Sequence, residues 1–160
     1  IVAMVDDPQQ AADAVAATRY TPDGVRSFGP LRASLGHDPA TLQDRVSVFA
    51  MIETARGLAA VADICAVPGL TGVYVGPADL ALALGAEAVG ATADPRVRDA
   101  MVRVVQTAAG AGVVAGVHAG SGTVGKELAA LGFQMITLAA ESQALRRGAA
   151  AHLADAEGAQ

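Results

Sequence analysis

SVFAMIETARGLAAVADICAVPGLTGVYVGPADL, residues 47–80, holds one strand–helix–strand unit. Ser47 to Ile52 reads as a strand that ends at Glu53-Thr54. Residues 55–66 carry a helical pattern, which Val67-Pro68-Gly69 breaks. Gly72–Val75 is a second, β-branched and aromatic run. Gly76-Pro77 then turns the chain into one or two helical turns over Ala78–Leu84. Two strands separated by a crossover helix pair in parallel, whereas a hairpin needs only a few residues between its strands. The stretch therefore predicts a parallel sheet.

The same alternation continues in both directions. Upstream, Ile1–Val5 is an apolar run, and Asp6, Asp7 and Pro8 supply an N-cap and a first-turn proline for a helix reaching about Thr18. Residues 19–37 form a loop with Gly24, Gly29, Gly36, Pro22 and Pro30, long enough to suggest a function. A helix near 39–45 follows. Downstream, Asp94-Pro95 opens a helix to Ala111, Val113–Val117 is a strand, Thr123–Leu131 a helix, Met135–Ala139 a strand and Ser142–Ala154 a closing helix. The polar tail 155–160 is expected to fray. Residues 1–154 thus make one α/β domain of five strand–helix units with no hairpin signal. Two architectures compete. The length favours an open doubly wound sheet, because a complete eightfold barrel needs about 250 residues. The start at Ile1, inside an apparent strand, favours the later part of such a barrel, with the natural N-terminus expected to lie upstream.

Composition narrows the partners. Apolar residues make up 52% and charged residues 17%, which fits strands buried on both faces. A net charge of −5 gives no footprint for nucleic acid. The single cysteine, Cys65, rules out a disulfide within the chain and fits a reducing, cytoplasmic setting. The longest uncharged stretch, Val104 to Gly125, is broken by glycines and by His118 and reads as a strand between helices, not a membrane span.

In a parallel sheet with crossover helices, ligands bind at the carboxyl ends of the strands. Those ends here offer Glu53, then Gly76-Pro77-Ala78-Asp79, then His118-Ala119-Gly120-Ser121-Gly122, and finally the region of Glu141. Adjacent parallel strands lie about 4.8 Å apart, so Glu53 and Asp79 are able to reach one cation. Two carboxylates that close repel unless something neutralises them, and oxygen-only ligation suits Mg²⁺ or Mn²⁺. The competing reading makes Asp79 an N-cap and Glu53 a surface residue. The amides of Ala78 and Asp79 open a helix and suit an anion; a plain tight turn is the alternative. His118 is a base, a ligand or a satisfied polar group. Arg19 and Arg26 flank the long loop, either as anion contacts at the mouth or as solvated charges. Cys65 belongs in the core, and His37 and His152 on the surface.

Met51-Ile52-Glu53-Thr54, followed by Val67-Pro68-Gly69-Leu70-Thr71-Gly72-Val73-Tyr74-Val75-Gly76-Pro77-Ala78-Asp79-Leu80, resembles the HpcH/HpaI aldolase and citrate lyase family. Thr18–Arg26 and Leu131-Gly132-Phe133 agree, so the resemblance covers nearly the whole chain. It implies strands 4–8 of a (β/α)₈ barrel. It implies a class II aldolase that cleaves 4-hydroxy-2-oxo acids to pyruvate and an aldehyde through a metal-stabilised enolate, with a divalent ion (Mg, Mn or Co). It further implies Glu53 and Asp79 as metal ligands, Gly76, Pro77, Ala78 and Asp79 around the pyruvyl carboxylate, and a homo-oligomer. A citrate lyase β-subunit-like acyl-CoA lyase and a non-catalytic barrel fragment are the alternatives. Two departures stand out. Met51 occupies a position where the family often has glutamine. The family's proton-transfer histidine and substrate-binding arginine precede the region matched here and have no counterpart. Five strands also cannot close a barrel and leave two bare edges, so the isolated chain is expected to be inactive and poorly soluble. A Schiff-base route is disfavoured, because the only lysine, Lys126, falls on an outer helix.

Overall fold

The computed structural model describes residues 1–30 and 32–158. Its centre is a parallel sheet of four strands, β1 (Phe49–Ile52), β2 (Gly72–Val75), β3 (Val114–His118) and β4 (Met135–Thr137), in the order β1-β2-β3-β4. The helices are α1 (Pro8–Ala16), α2 (Pro39–Asp44), α3 (Ala55–Ala59), α4 (Val61–Cys65), α5 (Pro77–Ala83), α6 (Pro95–Ala111), α7 (Gly122–Leu131) and α8 (Glu141–Gly158). The unbroken parallel order is what sequential right-handed crossovers produce. It matches successive staves of a barrel and lacks the reversal of order at the switch point of a doubly wound sheet.

The starts of the helices follow local chemistry. Asp7, Asp38, Thr54, Asp94 and Ser121 each accept a backbone N–H at an N-cap, and proline stands in the first turn of α1, α2, α5 and α6. Gly112 and Gly132 close α6 and α7 in the left-handed conformation.

Three elements depart from the sequence expectation. The apolar run Ile1–Val5 is not a fifth regular strand. It lies parallel to β1 with a single bridge, Val2 to Ala50, and Met4 at φ 57° interrupts the ladder. The Met4 amide turns away from the ladder to the Glu53 carboxylate. The helix read over 55–66 is two short helices that meet at Ala60, whose φ of −89° and ψ of 5° leave the helical region. Residues 155–158, expected to fray, continue α8.

The sheet separates two environments. Ile52, Val73, Val75 and Val117 point outward and are fully buried against Ile64, Val97, Met101 and Val104. In the register of paired strands, Met51 faces Tyr74, Tyr74 faces Gly116, and His118 faces Thr137 on the inner side. Gly116 is required there, because a Cβ would lie 2.8 Å from the Tyr74 ring. Among the described residues no helix is long and apolar enough to cross a membrane.

Candidate active site

A cavity of ≈ 640 Å³ opens over the carboxyl ends of β1, β2 and β3. Met51 and Glu53 approach it from β1, Tyr74 and the Gly76–Asp79 turn from β2, and His118 to Ser121 from β3.

Glu53 is the one buried charged residue among those described, 5% exposed. It directly follows the last residue of β1, so the alternation that points Ile52 outward points Glu53 into the cavity. Its Oε1 accepts the Met4 N–H at 2.7 Å. Its Oε2 lies against Gly76, where a Cβ would come within 2.5 Å of it. That close approach explains a glycine between two strand-forming segments. No cationic side chain pairs with Glu53 among the described residues.

Asp79 lies in the first turn of α5 and is exposed on the cavity wall. The N-cap of α5 is Gly76, so Asp79 is not the capping residue and its carboxylate is free of that task. Pro77 is buried and Ala78 exposed, both on the cavity wall.

On the β3 side, His118 Nδ1 is 2.9 Å from Thr137 Oγ1, and that hydroxyl is 2.5 Å from the Tyr74 hydroxyl. Ser121 caps α7 by accepting the Val124 N–H at 3.3 Å and also lines the cavity. Arg147 of α8 donates to the Gly120 carbonyl at 3.2 Å and brings a guanidinium to the cavity edge.

The match to the HpcH/HpaI aldolase/citrate lyase family model spans residues 1–147. The chain belongs to this family. It is 37% identical to a hydroxypyruvate/pyruvate aldolase of Rhizorhabdus wittichii over 98% of its own length and 63% of the relative's. It is 40% identical to a 4-hydroxy-2-oxovalerate aldolase of Rhodococcus jostii over 73% of its length and 46% of the relative's. The crystal structure of a HpcH/HpaI family protein from Burkholderia cenocepacia superposes with a TM-score of 0.83 and 32% identity, covering 96% of this chain and 63% of that one. The chain thus spans less than two thirds of these relatives, and its sheet corresponds to part of the family's barrel.

Within this HpcH/HpaI sheet, the residues singled out in the sequence divide. Glu53, Gly76, Pro77, Ala78, Asp79 and His118 converge on the cavity. Arg19 and Arg26 do not reach it. Arg19 donates to the Gln43 carbonyl at 3.0 Å, and Arg26 stacks over the Tyr20 ring at 4.5 Å. The loop that carries them follows α1, which sends it away from the carboxyl ends of the strands. Glu141 also lies outside the cavity, because β4 ends at Thr137 and α8 begins at Glu141. Cys65 is buried in the core with its thiol pushed up to about 11 by burial, and Lys126 is exposed on α7. Sequence reasoning missed Tyr74, Thr137 and Arg147. Tyr74 shares the alternation phase of Gly76 and was legible on that ground. Thr137 and Arg147 left no local signal.

Proposed function

We propose that the chain carries the metal- and pyruvate-binding part of a divalent-metal-dependent carbon–carbon lyase that cleaves 4-hydroxy-2-oxo acids to pyruvate and an aldehyde. The observation that carries this reading is the state of Glu53. A buried carboxylate with one backbone donor and no paired cation is poorly compensated, and a buried charge calls for a partner. Asp79, on the wall of the same cavity, completes an oxygen-only donor pair. Mg²⁺, Mn²⁺ or Co²⁺ fits such a pair, with the remaining positions left to water and substrate oxygens. No third His, Cys, Asp or Glu joins them among the described residues, as suits a site that must admit a chelating substrate.

Each group in the chain has a part. Glu53 and Asp79 would hold the ion. Met4 and Gly76 fix the Glu53 carboxylate, the one by its N–H and the other by its missing side chain. The free amides of Ala78 and Asp79 would receive the substrate carboxylate at the start of α5. A divalent ion held by Glu53 and Asp79 would supply Lewis-acid stabilisation of the negative charge that develops on a 2-oxo acid. The relatives' names, hydroxypyruvate/pyruvate aldolase and 4-hydroxy-2-oxovalerate aldolase, support a small 2-oxo acid as substrate.

Mn²⁺ binding followed by electron paramagnetic resonance tests the reading on the chain itself. Binding by the native chain, and its loss in Glu53→Gln and Asp79→Asn, is the expected result. Equal binding by all three proteins would place the ion elsewhere. Aldol cleavage by the isolated chain is expected to be absent, since the four-stranded sheet does not close into a barrel.

A further inference from the structure

The cavity is larger than the metal-binding reading uses, and its charges are divided between two walls. At ≈ 640 Å³ it is of a size that takes a drug-sized ligand, so a three-carbon acid beside its ion leaves much of it unfilled. Glu53 and Asp79 line the side of β1 and β2, and Arg147 of α8 lines the side of β3 with His118 and Ser121. No lysine and no other arginine lines the cavity among the described residues. Arg147 Nη2 donates to the Gly120 carbonyl at 3.2 Å, which ties the guanidinium to the loop after β3. That contact uses one of its five N–H donors. No carboxylate pairs with Arg147 among the described residues. Strands β1 and β3 are two places apart in the sheet, a separation of about 10 Å.

We propose that Arg147 is a specificity-determining residue of this site and receives a second carboxylate at the far end of the 2-oxo acid. The proposal rests on the carbon–carbon lyase reading. In that reading the 2-oxo acid group lies at the Glu53 and Asp79 wall, and the carbon chain beyond C3 runs across the cavity toward β3. That part of the substrate leaves as the aldehyde, so the aldehyde is itself an acid. Charge selects an anion there. A divalent ion offsets Glu53 and Asp79, which leaves Arg147 as the uncompensated charge on the cavity wall. Geometry selects a carboxylate. A guanidinium presents two parallel N–H groups that match the two oxygens of one carboxylate. A phosphate group carries up to two negative charges, and a single exposed arginine leaves part of that charge unmatched.

The experiment compares two ligands that share one carbon chain, 2-oxoadipate and 2-oxohexanoate, which differ only in the terminal carboxylate. Each is titrated calorimetrically into the 160-residue chain in the presence of Mg²⁺, and Mn²⁺ affinity is measured alongside. The native chain should bind 2-oxoadipate about 5-fold or more tighter than 2-oxohexanoate. Arg147→Gln should abolish that preference and leave the affinities for 2-oxohexanoate and Mn²⁺ at their native values. Arg147 is exposed, so the substitution leaves the apolar core untouched. A chain that binds no Mn²⁺ removes the lyase reading and this proposal with it. A chain that binds Mn²⁺ but shows no preference, whether it binds both acids equally or neither, overturns the role of Arg147 alone. A preference that survives in Arg147→Gln does the same. An equal loss of both acids in Arg147→Gln also overturns it, because the arginine would then serve only to hold the Gly120 loop.

Discussion

The two faces of the sheet are built from the same four strands and obey opposite rules. The outer face is a closed apolar layer in which Ile52, Val73, Val75 and Val117 mesh with α4 and α6. The inner face carries glycines at 72, 76 and 116 beside Tyr74, Glu53, His118 and Thr137, with a cavity over its upper edge. Alternation of period two lets one short strand serve both layers. Stability therefore concentrates on one side and chemistry on the other, so changes on the two sides should be separable.

The largest expected effect tests the outer layer. Ile64 of α4 is fully buried in the apolar cluster. Ile64→Ala should cost about 2–5 kcal/mol of stability, read by urea denaturation, while Mn²⁺ affinity of the folded fraction stays at the native value. A matching loss of affinity would show that the layers are coupled. On the inner face, Gly76→Ala should do the reverse. The added methyl meets Glu53 Oε2 and must displace the carboxylate, so Mn²⁺ affinity should fall about 10- to 100-fold, a range typical of lost support around a ligand. Glu53→Gln sharpens the contrast further. The amide removes a poorly compensated buried charge, so the ion-free protein should gain about 1 kcal/mol, or about 2–4 °C in melting temperature, as ion binding is lost. A Glu53→Gln protein that melts lower than the native one would show that the carboxylate is well compensated without an ion.

The outer layer and the carboxylate part of the inner face were legible in the sequence because each is local. Residues 47–80 contain β1, β2, Glu53, Gly76 and Asp79 within a single crossover unit, and the turn residues mark where each strand ends. His118 stood out at a strand end, but its hydrogen-bonded partners did not. His118, Thr137 and Tyr74 come from three strands, and only the register of β2 with β3 and β3 with β4 brings their polar atoms together. The interruption of the first apolar run was equally hidden. Nothing in Ile-Val-Ala-Met-Val announces that the Met4 amide leaves the ladder for a carboxylate 49 residues away.

The smallest effect probes how dry the outer layer is. Cys65 lies beneath α6 at the end of α4, and burial raises its thiol from an ordinary 9.0 to about 11. Below about pH 9 the thiol is protonated in both the folded and the unfolded chain, and its contribution to stability is fully present. Between about pH 9 and 11 the unfolded chain releases this proton and the folded chain keeps it, so stability falls as pH rises through that window. The informative quantity is a difference between two proteins that share every other group. The urea midpoint of the native protein should fall more steeply from about pH 8 to 10 than that of Cys65→Ala, which lacks the thiol. The thiol should also resist alkylation in the folded protein, because the thiolate is the reactive form and burial suppresses it. Parallel midpoints together with rapid alkylation would mean that water reaches the α4–α6 layer, and the division between a sealed outer face and an open inner one would have to be redrawn at this helix.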